Sequence, residues 1–80
     1  MSTDAHHPKP VVRLINDIAV QFHRMPVDVA GAAIADHIRQ FWDPRMRSQL
    51  ASLTLAEEDD LDERSLAAAD LLRVAAKPAV

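Results

Sequence analysis

Prolines cut this chain into short lengths. Pro10, Pro26, Pro44 and Pro78 lie at the borders of stretches with helical apolar spacing, and the single glycine, Gly31, lies inside one of them. Proline fits the first turn of a helix but ends one that runs into it, because its ring fixes φ and pushes the preceding residue out of the α region. Only short helices with short connections satisfy that punctuation. Eighty residues allow one domain. At this size folding buries roughly 60–65% of the unfolded surface, so small scaffolds usually add disulfides, a metal or a partner. The chain has no cysteine, which removes disulfides and thiolate metal sites and suits a reducing compartment without demanding one. The remaining support is regular helix packing or association with another protein.

Composition agrees with helix. Alanine, Leu and Arg are plentiful, and tyrosine is absent. The net charge of −3 provides no general positive field for nucleic acid or anionic lipid. The N-terminus shows neither an apolar signal core nor twin arginines. The longest apolar run, Val29–Ala35, falls far short of the ~20 residues of a membrane span. A soluble, cytoplasmic chain is expected, with neither nucleic acid nor membrane as partner.

The expected organisation is a disordered segment 1–9, a helical domain 10–76 and a tail 77–80. Pro10 opens a first helix, roughly Pro10–Met25. Val11, Leu14, Ile15, Ile18, Phe22 and Met25 form its apolar stripe, with Arg13, Asp17, Gln21 and Arg24 opposite. Pro26 stops it. A second helix runs roughly Asp28–Trp42, with Asp28 as N-cap and Ala30, Ile34, Ile38 and Phe41 facing the core. Gly31 costs about 1 kcal/mol relative to alanine in a helix interior. It marks either close approach of another backbone or a tolerated exposed position. A third helix begins at Pro44 with Asp43 as N-cap, carries Met46, Leu50 and Leu53, and fades into Thr54–Glu58. A fourth begins near Leu61, with Asp60 and Glu63 in capping-box spacing, and continues through Leu66, Ala69, Leu72 and Arg73 until Pro78. The fold class is all-α, a small single domain of three to four short helices with short loops.

Catalytic motifs fail one by one. Ser48 and Ser52 lie on a polar helix surface with no glycine-bearing elbow around them, so no activated nucleophile is formed. His23 and His37 lack metal-ligand spacing and a shared carboxylate, and His37 reads as a surface or half-buried histidine. His6 and His7 are a weak metal signal at the terminus. The acidic run Glu57, Glu58, Asp59, Asp60, Asp62, Glu63 has neither the glycine turn nor the alternation of a calcium loop. Carboxylates gathering at a helix N-terminus account for it, with docking to a basic surface as the weaker alternative. No catalytic, cofactor-binding or metal-binding residue is assigned.

The segment Ala35–Arg47 stands out instead. It holds the sole tryptophan, one of two phenylalanines and three arginines around the junction of the second and third helices. Arg45 and Arg47 fall at the start of a helix, where the dipole disfavours cations by about 0.3–1 kcal/mol each. Screening plus a pair with Asp43 would offset this; so would carboxylates or carbonyls of another chain, which suit arginine's fixed fork. Two positions apart is about 200° around a helix, so Arg45 and Arg47 do not grip one phosphate together. Phe41 is assigned to the core. Trp42 lies off the stripe, and tryptophan with arginine is the usual make-up of an interaction hot spot, with burial in the core as the competing account.

The run His37-Ile38-Arg39-x-Phe41-Trp42-Asp43-Pro44-Arg45-Met46-Arg47, preceded by Asn16-x-Ile18-Ala19-x-x-Phe22, resembles the delta subunit of NAD-dependent, molybdenum-containing formate dehydrogenases. The similarity covers roughly Val12 to Leu53; the fourth helix agrees in type, and Glu57–Asp62 is more acidic than the family pattern. The resemblance implies a non-catalytic accessory subunit with no cofactor of its own. Its partner would be a catalytic alpha subunit carrying bis-molybdopterin guanine dinucleotide and iron–sulfur clusters, with beta and gamma subunits bringing flavin (FMN) and NAD. The chain would support assembly, cofactor retention or stability of the alpha subunit. By motif match, Arg39, Trp42, Asp43, Pro44, Arg45 and Arg47 are the partner-binding positions, Asp43 and Pro44 setting geometry and the others supplying contact. A dissociable maturation chaperone and a helix-turn-helix-like nucleic-acid module are the alternatives.

Overall fold

A computed structural model describes residues 9–76, with side chains to Arg73. The expected lead-in, apart from Lys9, together with His6, His7, Pro78 and the tail 77–80, lies outside the described residues. Among the described residues five helices follow one another: α1 Pro10–Val20, α2 Val27–Phe41, α3 Pro44–Ala51, α4 Leu55–Glu58 and α5 Glu63–Ala76. No strand occurs among the described residues, and the all-α reading holds.

Local chemistry explains the boundaries. Pro10 sits at the start of α1, where its missing N–H removes no hydrogen bond, and the Lys9 carbonyl accepts from Val12 N–H at 2.9 Å. Lys9, expected in the disordered lead-in, is held further by an ion pair from its Nζ to Glu57 at 3.2 Å. The first helix ends at Val20, earlier than the Met25 expected. Phe22 N–H bonds to the Ala19 carbonyl and Met25 N–H to that of Phe22, so the chain tightens from four-residue to three-residue spacing. The N-cap of α2 is Pro26 and not Asp28, because the Pro26 carbonyl already accepts the helical bond from Ala30 N–H at 2.8 Å. The capping box lies at Thr54 and Glu57, where each side chain takes the other's backbone N–H, and it turns the expected fading end of the third helix into α4. The last helix starts at Glu63, two residues after the expected Leu61, and Asp62 Oδ1 accepts from Arg64 N–H at 2.9 Å.

The core gathers Val11, Val12, Ile15 and Ala19 of α1, Ile34, Ala35 and Ile38 of α2, Leu50 of α3, Ala68 and Ala69 of α5, and Trp42, Leu53 and Leu61 from connections. Ile18, Phe22, Met46, Leu66 and Leu72 pack against it. The buried face of α1 is therefore turned toward Val12 and Ala19. Leu14 and Met25, expected in the stripe, are 44% and 39% exposed. The helix packs small Ala19 inward, and Met25 has already left the helix.

Pairing of α2 with α5 is the tightest contact. A Cβ added at Gly31 would stand 2.7 Å from Ala67 Cβ and 3.3 Å from the backbone of Ala67 and Ala68. Of the two readings of Gly31, close approach of another backbone is the one realised. The helix spends glycine's propensity cost on proximity.

Long-range polar contacts then tie the segment before α5 to the rest. Asn16 donates from Nδ2 to the Asp60 carbonyl at 2.8 Å and accepts from Asp62 N–H at 2.8 Å. Arg64 donates from Nε and Nη2 to the Met25 carbonyl at 3.1 and 2.7 Å. Arg73 pairs with Glu58 and, at 3.3 Å, with Asp70. Part of the acidic run thus serves as caps and ion-pair partners inside the chain.

Candidate functional site

The corner between α2 and α3 is fixed by its cap. Asp43 has extended backbone (φ −78°, ψ 166°), its Oδ1 accepts from Met46 N–H at 2.9 Å, and Pro44 occupies the first turn. This is the arrangement expected of Asp43 and Pro44 from sequence. Arg47 N–H bonds to the Asp43 carbonyl at 3.1 Å, which continues the helix without a loop. A corner held this way fixes the backbone that carries its side chains.

Two adjacent aromatic residues exchange the places expected of them. Trp42 is 9% exposed and belongs to the core cluster, whereas Phe41 is 71% exposed. Phe41 lies on the angular stripe of α2, but it is the last helical residue and no other element extends to cover it. Trp42 has left the helix with φ −92° and ψ 143° while its N–H still bonds to the Ile38 carbonyl at 2.9 Å. That extended step turns the indole back beneath the corner. The core assignment of Phe41 is corrected accordingly, and the indole is mainly an internal anchor. The Phe41 ring lies beside that of His37, with centroids 4.8 Å apart and planes tilted by 39°. His37 is half-buried, as expected.

Three arginines flank this corner in the chain. Arg39 in the last turn of α2 and Arg45 in the first turn of α3 are exposed, and Arg47 is half-buried. Among the described residues none of the three guanidiniums makes an ion pair; the pairs that form use Lys9 and Arg73. No acid lies in the first turn of α3, and the Asp43 carboxylate is occupied by the Met46 N–H. The local pairing of Arg45 or Arg47 with Asp43 is thus not made. The corner combines a bare aromatic ring with cations whose fields are unmatched within the described chain. That combination is suited to contact with a carboxylate-bearing, partly apolar surface.

Sequence reasoning missed Phe41 as the exposed ring and Asn16, Arg64 and Arg73 as the residues that lock the fold. A helix-end position for Phe41 was the available signal, since a stripe residue at a terminus has a partner only if a neighbouring element reaches it. Among the described residues no three His, Asp or Glu side chains converge to hold a metal ion. No helix there is long and apolar enough to cross a membrane.

Comparison with curated proteins and with solved structures gives no match. A family described as NADH-dependant formate dehydrogenase delta subunit FdsD matches residues 10–69. The matched region starts at Pro10, where α1 begins, includes the whole corner and ends inside α5. With well over half of its length inside that match, the chain belongs to the delta-subunit family of NADH-dependent formate dehydrogenases.

Proposed function

We propose that this chain is a non-catalytic accessory subunit that docks on the catalytic alpha subunit of a formate dehydrogenase through the α2–α3 corner and supports assembly, cofactor retention or stability of that subunit. Phe41, Arg39, Arg45 and Arg47 make the contact in this reading. Asp43 and Pro44 hold the corner's angle, and Trp42 anchors it from below. The molybdenum cofactor, iron–sulfur clusters, FMN and NAD belong to the partner chains, beta and gamma included, and the complex works in the cytoplasm.

One observation carries the proposal: a phenylalanine 71% exposed at a corner whose arginines have no ion-pair partners in the described chain. Covering a phenylalanine side chain is worth about 1.5–3 kcal/mol. A guanidinium gains most when its fork meets a carboxylate away from water. Family membership supports the existence of partner subunits, and the capped corner supports a rigid contact.

Co-expression of the alpha subunit with Phe41→Ser and, separately, Arg45→Glu tests this. Each variant should retain wild-type far-ultraviolet circular dichroism and co-purify at least tenfold less well with alpha, on the scale of a hot-spot residue. Wild-type recovery of both variants would place the contact elsewhere.

A further inference from the structure

At the other end of α2 lies a different surface. Asp28 in its first turn, together with Ala67, Asp70 and Leu71 of α5, lines an open niche of about 270 Å³. It stands about 20 Å along α2 from Phe41, at 1.5 Å of rise per residue. Ala67, which meets Gly31 where the helices approach, forms its small-residue side; Leu71 on its border is 42% exposed, and Val29, next to Asp28 in the chain, is 50% exposed. Its size lies below the roughly 300–1,000 Å³ of small-molecule sites, and it has no hydrogen-bonding groups besides two carboxylates, so a protein side chain suits it better than a small ligand. Asp28 makes no ion pair among the described residues, and Asp70 meets only Arg73, which it shares with Glu58. The two ends of α2 therefore differ: an exposed ring and unpaired arginines share the corner at one, and carboxylates flank an apolar hollow at the other, where Arg64 is engaged with the Met25 carbonyl and Arg73 with Glu58 and Asp70.

We propose that the niche receives an aliphatic or aromatic side chain carried on a Lys/Arg-bearing segment of another subunit of the complex. The proposal rests on the chain being a subunit of a larger assembly, and not on the corner being the other contact. An apolar floor takes the side chain, and Asp28 and Asp70 take flanking cations. This is the usual division of an interface into a dry centre and a polar rim. Because the niche and the corner occupy opposite ends of one rigid helix, partner surfaces can cover both at once. The small chain would then act as a strut between two regions of its complex.

The test uses the assembled complex. Leu71→Asp and Asp28→Lys, both outside the core, are compared with wild type and with Arg45→Glu for co-purification with the other subunits. In parallel, p-benzoylphenylalanine at position 71 is irradiated and the crosslinked peptide is identified by mass spectrometry. The expected result is roughly tenfold weaker association for each niche variant and a crosslink to a basic, apolar-bearing segment of another subunit. Wild-type association of both niche variants overturns the proposal, and so does a crosslink to an acidic segment or to a second copy of this chain. If Arg45→Glu still releases the chain while both niche variants hold, the niche fails and the corner reading stands. If wild-type chain itself does not co-purify, the subunit reading fails first.

Discussion

Along the seam with α5, helix α2 uses its smallest side chains; at its C-terminal corner it shows one of its largest. Gly31 brings the seam so close that an added Cβ would collide with Ala67. At the corner, Trp42 is tucked into the core, while its neighbour Phe41 stands in solvent with Arg39 and Arg45. The seam at Gly31 is closed by contact within the chain. The corner keeps a ring and several cations that the fold does not employ. Side chains that a marginal domain keeps in the open, at the cost of exposed apolar area and an opposed helix dipole, are the ones to examine for function.

Stability measurements separate the two kinds of residue. Trp42→Ala should lose about 3–5 kcal/mol, the usual cost of removing a large core side chain, and leave the domain partly or wholly unfolded at room temperature. Phe41→Ala should stay within about 0.5 kcal/mol of wild type, as expected of a surface substitution. Urea titrations followed by circular dichroism would show the contrast, and comparable losses at both positions would erase it. Gly31→Val attacks the seam directly. Overpacking there should cost about 1–3 kcal/mol even though valine is the better helix former, so a stabilised variant would mean that the seam opens easily.

Asn16→Leu removes both long-range amide bonds and leaves the Asp62 N–H to find water. A loss of about 1–3 kcal/mol is expected, with faster hydrogen exchange at the start of α5. The smallest effect belongs to Glu57. The Thr54 backbone N–H, and then the Lys9 ammonium, hold its carboxyl below the usual 4.5. A carboxylate whose folded value is depressed contributes stability above its unfolded value, lost as pH falls through the folded one. Glu57→Gln should therefore remove a small contribution that is present above about pH 4.5, and so flatten the acid side of the stability profile.

Much of this architecture was legible in the chain. Asp43 and Pro44 announce α3 because a capping side chain followed by proline leaves few other local solutions. The Ile34 and Ile38 stripe follows from helical spacing, whereas Gly31 stood equally for close approach or for a tolerated exposed position until the fold placed Ala67 against it. Phe41 was misplaced because periodicity describes a helix without ends. It gives an angle around the axis but not whether a neighbour extends that far. Trp42 escaped for the complementary reason, since its inward turn comes from an extended φ, ψ pair that no periodic rule contains. The start of the last helix shifted because Asn16, more than forty residues away in sequence, holds Asp60 and Asp62 in a turn. The unmatched arginines of the corner were visible in sequence as a cluster, but their lack of partners is a property of the fold.

The account stands most directly on the dissociation constant of the chain for its alpha subunit, wild type against Phe41→Ser, measured beside the urea midpoint of each. The expected result is an unchanged midpoint and binding weaker by about 2 kcal/mol, roughly thirtyfold. Equal dissociation constants for the two would contradict the claim that the corner's exposed ring is kept for a partner.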